Sequence, residues 1–481
     1  MATTLSRKRQ VLDLPVRLDP SIRNQSRQVH AALRSAIVDG LLSPGLKLPS
    51  SRALAEQLKV RRNTVVAAYE HLLSDGLVEA RHGAGTYVAA ELPSLRPASP
   101  AAALRLDPIQ PESIQRSAFA LGCTRADTPL LRRLGASVRR CIVTATTEEL
   151  GYGDPRGSAR LRSQIAQNLA ASRGIRCDPS CVIVVSGTQH AIRLCVDALL
   201  SRGDAIWMED PGYYVARTTL NAAGIRLVPV PVDAEGIVVT AGLAADATAK
   251  AAYVTPSHQF PIGVTMSMSR RVALLEWARS SQSWVFEDDY DSEFRYAGPP
   301  LTALAGIGGE RVIYVGTFTK ILFAGLRLAY VVLPPRAVAG VIAARAAFDR
   351  FPPRFMQDAV ADLMADGTLS AHTRRMRTYY REARDVVAEV LTRAACGTLR
   401  VVVPTQGLHL IAYLRRRVPH RVVTEIKRRA GVEVKLVSET RIIRSEEDGF
   451  ILGYSGYDIR ELTAAAERLG RSANEIIGRD S

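Results

Sequence analysis

The sequence predicts two domains of different class: a small N-terminal α+β module of winged helix-turn-helix form, and a larger α/β body on a mostly parallel seven-stranded sheet. The first ninety residues carry short amphipathic helical stretches followed by a glycine-tipped hairpin pattern. Seven apolar runs of strand length come later, most of them separated by helix-like segments, which is the pattern of a parallel sheet covered on both faces. A Pro-, Ala- and Ser-rich stretch without periodicity lies between. With 481 residues the chain is too long for one compact core.

In the N-terminal module (1–90), Val29, Leu33 and Ile37 recur at helical spacing and Gly40 is a stop signal. Ser50 or Ser51 can cap a second helix, Arg52–Leu58, that presents Leu54 and Leu58 on one face. After a break at Lys59-Val60 comes a third, beginning Arg61-Arg62-Asn63-Thr64. Its polar front and apolar back suit a recognition helix, whose first residues reach base edges and phosphates. Leu77–Val88 reads as a hairpin with Gly83 and Gly85 at its tip, a basic wing able to approach a phosphate backbone. Residues 1–90 hold 13 Lys and Arg against 7 Asp and Glu, so over a third of the net charge of +16 sits in under a fifth of the chain. That bias favours a polyanionic partner.

Residues 91–116 read as a semi-stiff linker. The body is expected over 117–481, with a large subdomain at about 150–335 and a small one at about 370–481. Its strands are Val182–Ser186, Ala205–Met208, Ile225–Val230, Ala251–Thr255, Ser283–Glu287, Arg311–Val315 and Leu328–Leu333. No apolar run reaches the roughly 18–20 residues of a membrane span, and the N-terminus lacks a signal-peptide core, so the expectation is cytoplasmic. Six cysteines without a second close pair or nearby histidine predict reduced thiols and no metal site.

In such sheets ligands bind beyond the carboxyl ends of the strands, and chemistry-bearing residues cluster there. Ser186-Gly187-Thr188-Gln189 opens a helix whose free N–H groups suit a phosphate. Tyr213, after Asp210-Pro211-Gly212, can stack on a flat ring. Asp288 ends the fifth strand, where a buried carboxylate needs a cationic partner. Lys320 follows Gly316-Thr317-Phe318-Thr319, and Arg327 lies seven residues on. An amine for a Schiff base, an acid for a pyridinium nitrogen and a cation for a phosphate are the groups that pyridoxal 5'-phosphate (PLP) needs. Each alone also reads as a core tyrosine, a solvated lysine or a loop charge; their order tips the balance.

Leu48-Pro49-Ser50-Ser51-Arg52, Thr64…Tyr69…Leu72 and Gly83-Ala84-Gly85-Thr86 resemble the GntR family of winged-helix regulators. From residue 117 on, Gly151-Tyr152-Gly153-Asp154-Pro155-Arg156-Gly157, Ser186–Gln189, Asp210–Tyr213, Pro256–Pro261, Glu287–Tyr296 and Gly316–Lys320 resemble the fold-type-I PLP enzymes, the aminotransferases among them. Joined, the halves resemble the MocR subfamily over nearly the whole chain. The resemblance implies that Lys320 forms the Schiff base, Asp288 pairs with the ring nitrogen, Tyr290 bonds the phenolic oxygen and Tyr213 stacks. It implies that Gly187, Thr188, Thr317 and Arg327 hold the phosphate beside Gln189, and that Tyr152 reaches the partner subunit's cofactor in a head-to-tail homodimer. On the DNA side it implies contacts from Arg52, Arg61, Arg62, Thr64, Arg81 and Gly85 to a double-stranded operator. The function implied is a regulator that senses PLP, an amine or an amino-acid-like effector. The alternative is a PLP-dependent aminotransferase with an incidental N-terminal domain.

Two departures bear on that choice. Relatives clamp a substrate carboxylate with an arginine in a C-terminal strand, where Ile451 stands here, and γ-aminobutyrate-responsive members use an arginine where Val215 stands. Arg217, Arg441 and Arg444 are candidate substitutes. The Phe119–Cys123 stretch lacks the proline-bearing entry loop of many relatives.

Overall fold

The computed structural model describes residues 18–19, 24–91 and 117–478, so nearly all of the expected linker lies outside the described residues. The chain divides into two compact units, Met1–Ser113 and Ile114–Ser481.

In the first unit, α1 (Gln25–Val38) is capped by Asn24 and buries Val29, Leu33, Ala36 and Ile37, its apolar stripe. Ser50, not Ser51, caps α2 (Ser51–Leu58), its hydroxyl accepting from Ala53 N at 3.2 Å. Lys59 ends that helix in the left-handed region. The helix α3 (Arg62–Ser74) turns Val65, Ala68, Tyr69 and Leu72 inward, and the Tyr69 hydroxyl donates to Pro49 O at 2.8 Å. The strands β1 (Val78–Arg81) and β2 (Gly85–Val88) pair antiparallel from Val78↔Val88 to Arg81↔Gly85. Gly83 and Gly85, at φ 70° and 112°, make the wing tip. These side chains form one core, each buried Leu or Ile contributing about 1.5–3 kcal/mol.

The second unit opens with α4 (Thr128–Val143) and α5 (Ala159–Ser172). Then come β3 (Val182–Val185), α6 (Thr188–Leu199), β4 (Ala205–Asp210), α7 (Tyr214–Ala222), β5 (Arg226–Asp233), β6 (Gly236–Ile237) and α8 (Val239–Ala245). The run continues with β7 (Ala251–Val254), α9 (Met268–Ser280), β8 (Trp284–Asp289), α10 (Leu304–Gly308), β9 (Val312–Thr317), β10 (Ala329–Val332), α11 (Pro335–Phe348) and α12 (Arg354–Ala365). The sheet order is β3-β10-β9-β8-β7-β4-β5-β6. All seven expected strands are there. The eighth is the two-residue edge strand β6, too short to show a strand pattern in sequence. Pairs among β5, β4, β7, β8 and β9 are parallel, whereas β10 runs antiparallel to both neighbours. Along β3, Val182 and Val184 enter one core, Ile183 and Val185 the opposite one. Both faces are therefore covered, which is why these strands read as continuous apolar runs.

The C-terminal part holds α13 (Thr368–Ala394), β11 (Leu399–Val402), β12 (His409–Leu414), α14 (His420–Ala430), β13 (Lys435–Leu436), β14 (Gly449–Gly453) and α15 (Ile459–Ile477). Its antiparallel sheet, β11-β12-β14-β13, shares a core with α13, α14 and α15. No helix among the described residues is long and apolar enough to cross a membrane.

Candidate functional site

The parallel strands β4, β7, β8 and β9 end together, and each delivers a polar residue to one cavity of about 210 Å³. Tyr213 follows β4, Thr255 follows β7, Asp288 lies near the end of β8, and Thr317 ends β9. Because β10 is antiparallel, the residue preceding it arrives at this same end, and so Arg327 joins them. Gly187, Thr188 and Gln189 at the start of α6 complete the wall with Tyr290 and Lys320. Of the residues expected from sequence to hold PLP, Tyr152 alone is absent from the lining; it is 80% exposed, with Arg350 over its ring.

The charged groups are poised rather than neutralised. Asp288 Oδ2 accepts from the Tyr253 hydroxyl, while Oδ1 is buried without a partner. Burial pushes the Asp288 carboxyl up to about 7, against the pull of the Tyr253 hydrogen bond and of Lys320. Burial also lowers the Lys320 pKa, opposed by Asp291 and Asp288. A depressed amine favours the uncharged nucleophile. Around φ 149° at Gly187 the chain turns into α6 with no side chain capping its first N–H groups. A Cβ at Gly187 would lie 3.1 Å from Arg327 Nη2, so glycine leaves the space between helix end and guanidinium open. Arg327 makes no ion pair among the described residues. An orphaned acceptor, a half-buried amine and a cradle of N–H groups facing a free cation match the chemistry of PLP at three separate points.

Several residues in the wall, and Tyr253 behind Asp288, were not singled out from sequence. Tyr253 sits in an apolar strand and reads as a core aromatic. His409 lies on β12, and its Nε2 donates to Pro261 O at 2.9 Å. Burial, with help from His258 and Lys320, lowers its pKa to about 3, so the ring is neutral. Leu121 and Gly122 come from the stretch that departs from its relatives, and Gly122, at φ 83°, brings backbone beside Lys320 Nζ. That positive-φ glycine was the available signal.

The candidate arginine substitutes lie elsewhere. Arg217 donates to Arg441 O at 2.8 Å and to Glu439 O, holding the 439–441 backbone. Arg441 and Arg444 do not line the cavity, and Ile451 is fully buried among Ile411, Tyr413 and Val437. The cations that do line it are Lys320 and Arg327.

On the first unit, Arg52, Arg61, Arg62, Arg81 and Gly85 are exposed and Thr64 is half-buried. Arg61 is the N-cap residue of α3 and makes no capping hydrogen bond. Arg62 Nε reaches Ser51 Oγ at 3.4 Å, joining the starts of α2 and α3. Lys47, missed from sequence, lies beside the wing: its Cε is 3.1 Å from a Cβ at Gly85, and it shares the Tyr87 ring with Arg81.

The family described as bacterial regulatory proteins, gntR family, matches residues 25–88, and aminotransferase class I and II matches residues 126–467. The probable rhizopine catabolism regulatory protein MocR of Rhizobium meliloti is 34% identical, covering 93% of each chain. The chain belongs to the MocR-type regulators of the GntR family. The pyridoxine biosynthesis transcriptional regulator PdxR of Corynebacterium glutamicum is 30% identical over 93% of this chain and 95% of its own. Among solved structures, the Pyrococcus horikoshii kynurenine aminotransferase in complex with PMP matches with a TM-score of 0.68 at 26% identity, over 74% of this chain and 90% of its own. This MocR-type chain is thus a DNA-binding transcription regulator whose body is an aminotransferase domain, and that family implies PLP binding.

Proposed function

We propose that this protein binds PLP covalently at Lys320 and that PLP, or an amine or amino-acid-like effector meeting it there, changes the affinity of the winged helix for a double-stranded operator. The observation that carries this is the single cavity gathering Lys320, Asp288, Arg327 and the α6 N-terminus in a chain that also has a GntR module. Bound, PLP supplies an electrophilic aldehyde and an electron-withdrawing ring. The chain's own residues do the rest: Asp288 Oδ1 holds the ring-nitrogen proton, and Tyr213 covers the ring. Tyr290 meets the phenolic oxygen. Arg327, Thr317, Thr188 and the N–H groups around Gly187 and Gln189 hold the phosphate.

Both cations of the cavity are then committed, Lys320 to the aldehyde and Arg327 to the phosphate. A free carboxylate finds no guanidinium there, which favours PLP itself or an amine over ordinary amino-acid transamination. That one similar regulator is named for pyridoxine biosynthesis is in keeping with a signal at the level of the cofactor itself.

Arg52, Arg61, Arg62, Thr64, Arg81 and Gly85 form the DNA-facing set, with Arg61 and Arg62 entering at the start of α3. The working form is a homodimer, in which Tyr152 reaches its partner's cavity. Val143, Leu150 and Tyr152, close in sequence and exposed at 75%, 63% and 80%, are apolar side chains that a second copy would cover. Coupling requires PLP or effector to prefer one arrangement of the chain over another. Operator binding titrated with and without PLP and with candidate amines tests the proposal. A PLP-dependent change of at least about fivefold, the low end of a working coupling, is expected. Binding indifferent to PLP, or absent altogether, refutes it.

A further inference from the structure

Behind Tyr290 lie two buried side chains, His258 and Asp291, to which nothing above gives a role. His258 Nδ1 is 2.8 Å from Asp291 Oδ2 and 3.0 Å from the Tyr290 hydroxyl. His258 and Asp291 are each 1% exposed. The imidazole is fixed by backbone on two sides. A Cβ at Gly407 would lie 2.0 Å from His258 Cε1 and 2.9 Å from Asp291 Oδ2, and one at Gly263 would lie 3.2 Å from Nε2. Gly407 and Gly263, at φ 96° and 84°, are glycines where the ring needs the room.

An ionised carboxylate only accepts hydrogen bonds, so at 2.8 Å the proton must sit on His258 Nδ1. Tyr290 then cannot donate to that nitrogen. Its oxygen can accept from Nδ1–H, and its own proton has two destinations: Asp291 or the cavity. Burial, reinforced by the charges of Asp291, Asp288 and Glu209 and by a hydrogen bond to Asp291, holds the Tyr290 pKa well above its ordinary value, so the hydroxyl keeps its proton and Asp291 competes with the cavity for it. His258 Nε2 has no partner among the described residues.

We infer that His258 is a positioning residue: by donating to Asp291 it frees the Tyr290 hydroxyl to donate into the cavity, toward the phenolic oxygen of PLP. Without it, the carboxylate of Asp291 takes the Tyr290 proton for itself. The groups facing His258, Asp291 and Tyr290 are His409, with its ring 5.0 Å from His258, together with Lys320, Asp288 and Glu209. This rests on the reading of Lys320 as the PLP lysine.

The test compares His258→Leu and His258→Asn, each alone and with Tyr290→Phe, in the full chain. Asparagine keeps an N–H near the place of Nδ1, and leucine does not. Three quantities are read: melting without PLP, PLP affinity from fluorescence quenching, and the pH at which the visible band of lysine-bound PLP titrates. His258→Leu is expected to weaken PLP by about tenfold, one hydrogen bond to an ionised group. It is also expected to move the spectral titration to higher pH, because an undonated phenolic oxygen holds the linked proton longer. His258→Asn recovers most of both effects, and in the Tyr290→Phe background His258→Leu adds nothing. Additive losses, an unmoved titration, or asparagine no better than leucine overturns the inference. Should leucine unfold the chain, ¹⁵N NMR of histidine-labelled wild type decides: Nδ1–H at His258 is expected, and the Nε2–H tautomer overturns it. If the wild type lacks a Lys320-dependent visible band, the PLP reading is at fault instead.

Discussion

The arginine-bearing surface of the first unit, proposed above to meet DNA, and the cavity of the second handle charge in opposite ways. Arg52, Arg61, Arg62 and Arg81 stand in water, at no desolvation cost, on helices and a hairpin that are contiguous in sequence. Such groups gain affinity only when a polyanion arrives, and they gain it by releasing counterions. In the cavity, Asp288 is buried with one oxygen unpaired, and Lys320 and Tyr290 are shifted from their ordinary ranges by burial. Holding them there costs folding energy that a complementary ligand returns. The first surface is therefore generic until DNA selects it, whereas the cavity is specific before anything binds.

The comparison is sharpest at Lys320. Lys320→Ala is expected to abolish covalent PLP and its visible absorption completely, and absorption that persists would remove the site from the account. Next in size, Asp288→Asn should weaken PLP by about 10–100-fold, the range for losing a hydrogen bond to a charged group; equilibrium dialysis measures it. Replacing Arg61 and Arg62 by alanine should lower operator affinity at every sequence tested. It should also reduce the steepness of its salt dependence by about two, one for each phosphate contact. PLP binding should be untouched, which is the cross-check on the contrast.

A pH series probes the stored cost. The folded Asp288 carboxyl is raised to about 7, so the stability it contributes is present below its ordinary range and lost as pH climbs through about 7. Glu209, likewise raised to about 7 by burial, follows the same course in free and bound protein alike. PLP pairs Asp288 with a cation and removes that part of the loss. Stabilisation by PLP, read as a melting shift, should then grow between about pH 5 and 8; a shift that shrinks over this window contradicts the assignment. The smallest effect belongs to Ser50→Ala, which removes the cap of α2 and should cost the first unit about 1 kcal/mol while leaving the PLP spectrum unchanged.

Lys320, Asp288 and Arg327 were legible because each lies beside an apolar strand of ordinary length, and strand ends are where such sheets keep their ligands. Tyr253 was hidden for the same reason: inside an apolar run a tyrosine reads as core, and only the pairing of β7 with β8 sets its hydroxyl against Asp288. His258 and His409 are over 140 residues apart and meet only when the C-terminal sheet closes on the strand ends. The three arginines offered as carboxylate clamps were a guess that spacing could not decide. The fold ties Arg217 to the 439–441 backbone instead.

Periodicity, caps and turn glycines fixed the type and order of the elements, because those signals act over a few residues of chain. They determined a winged helix, a body with seven principal strands, and the lysine, aspartate and arginine at its strand ends. Tertiary structure alone decided that β10 runs against its neighbours and so brings Arg327 to the cavity. It also decided that Asp288 keeps one oxygen unpaired, and that an imidazole wedged against Gly407 stands between Asp291 and Tyr290. Burial and hydrogen-bond satisfaction are properties of packed groups distant in sequence, and local pattern does not carry them.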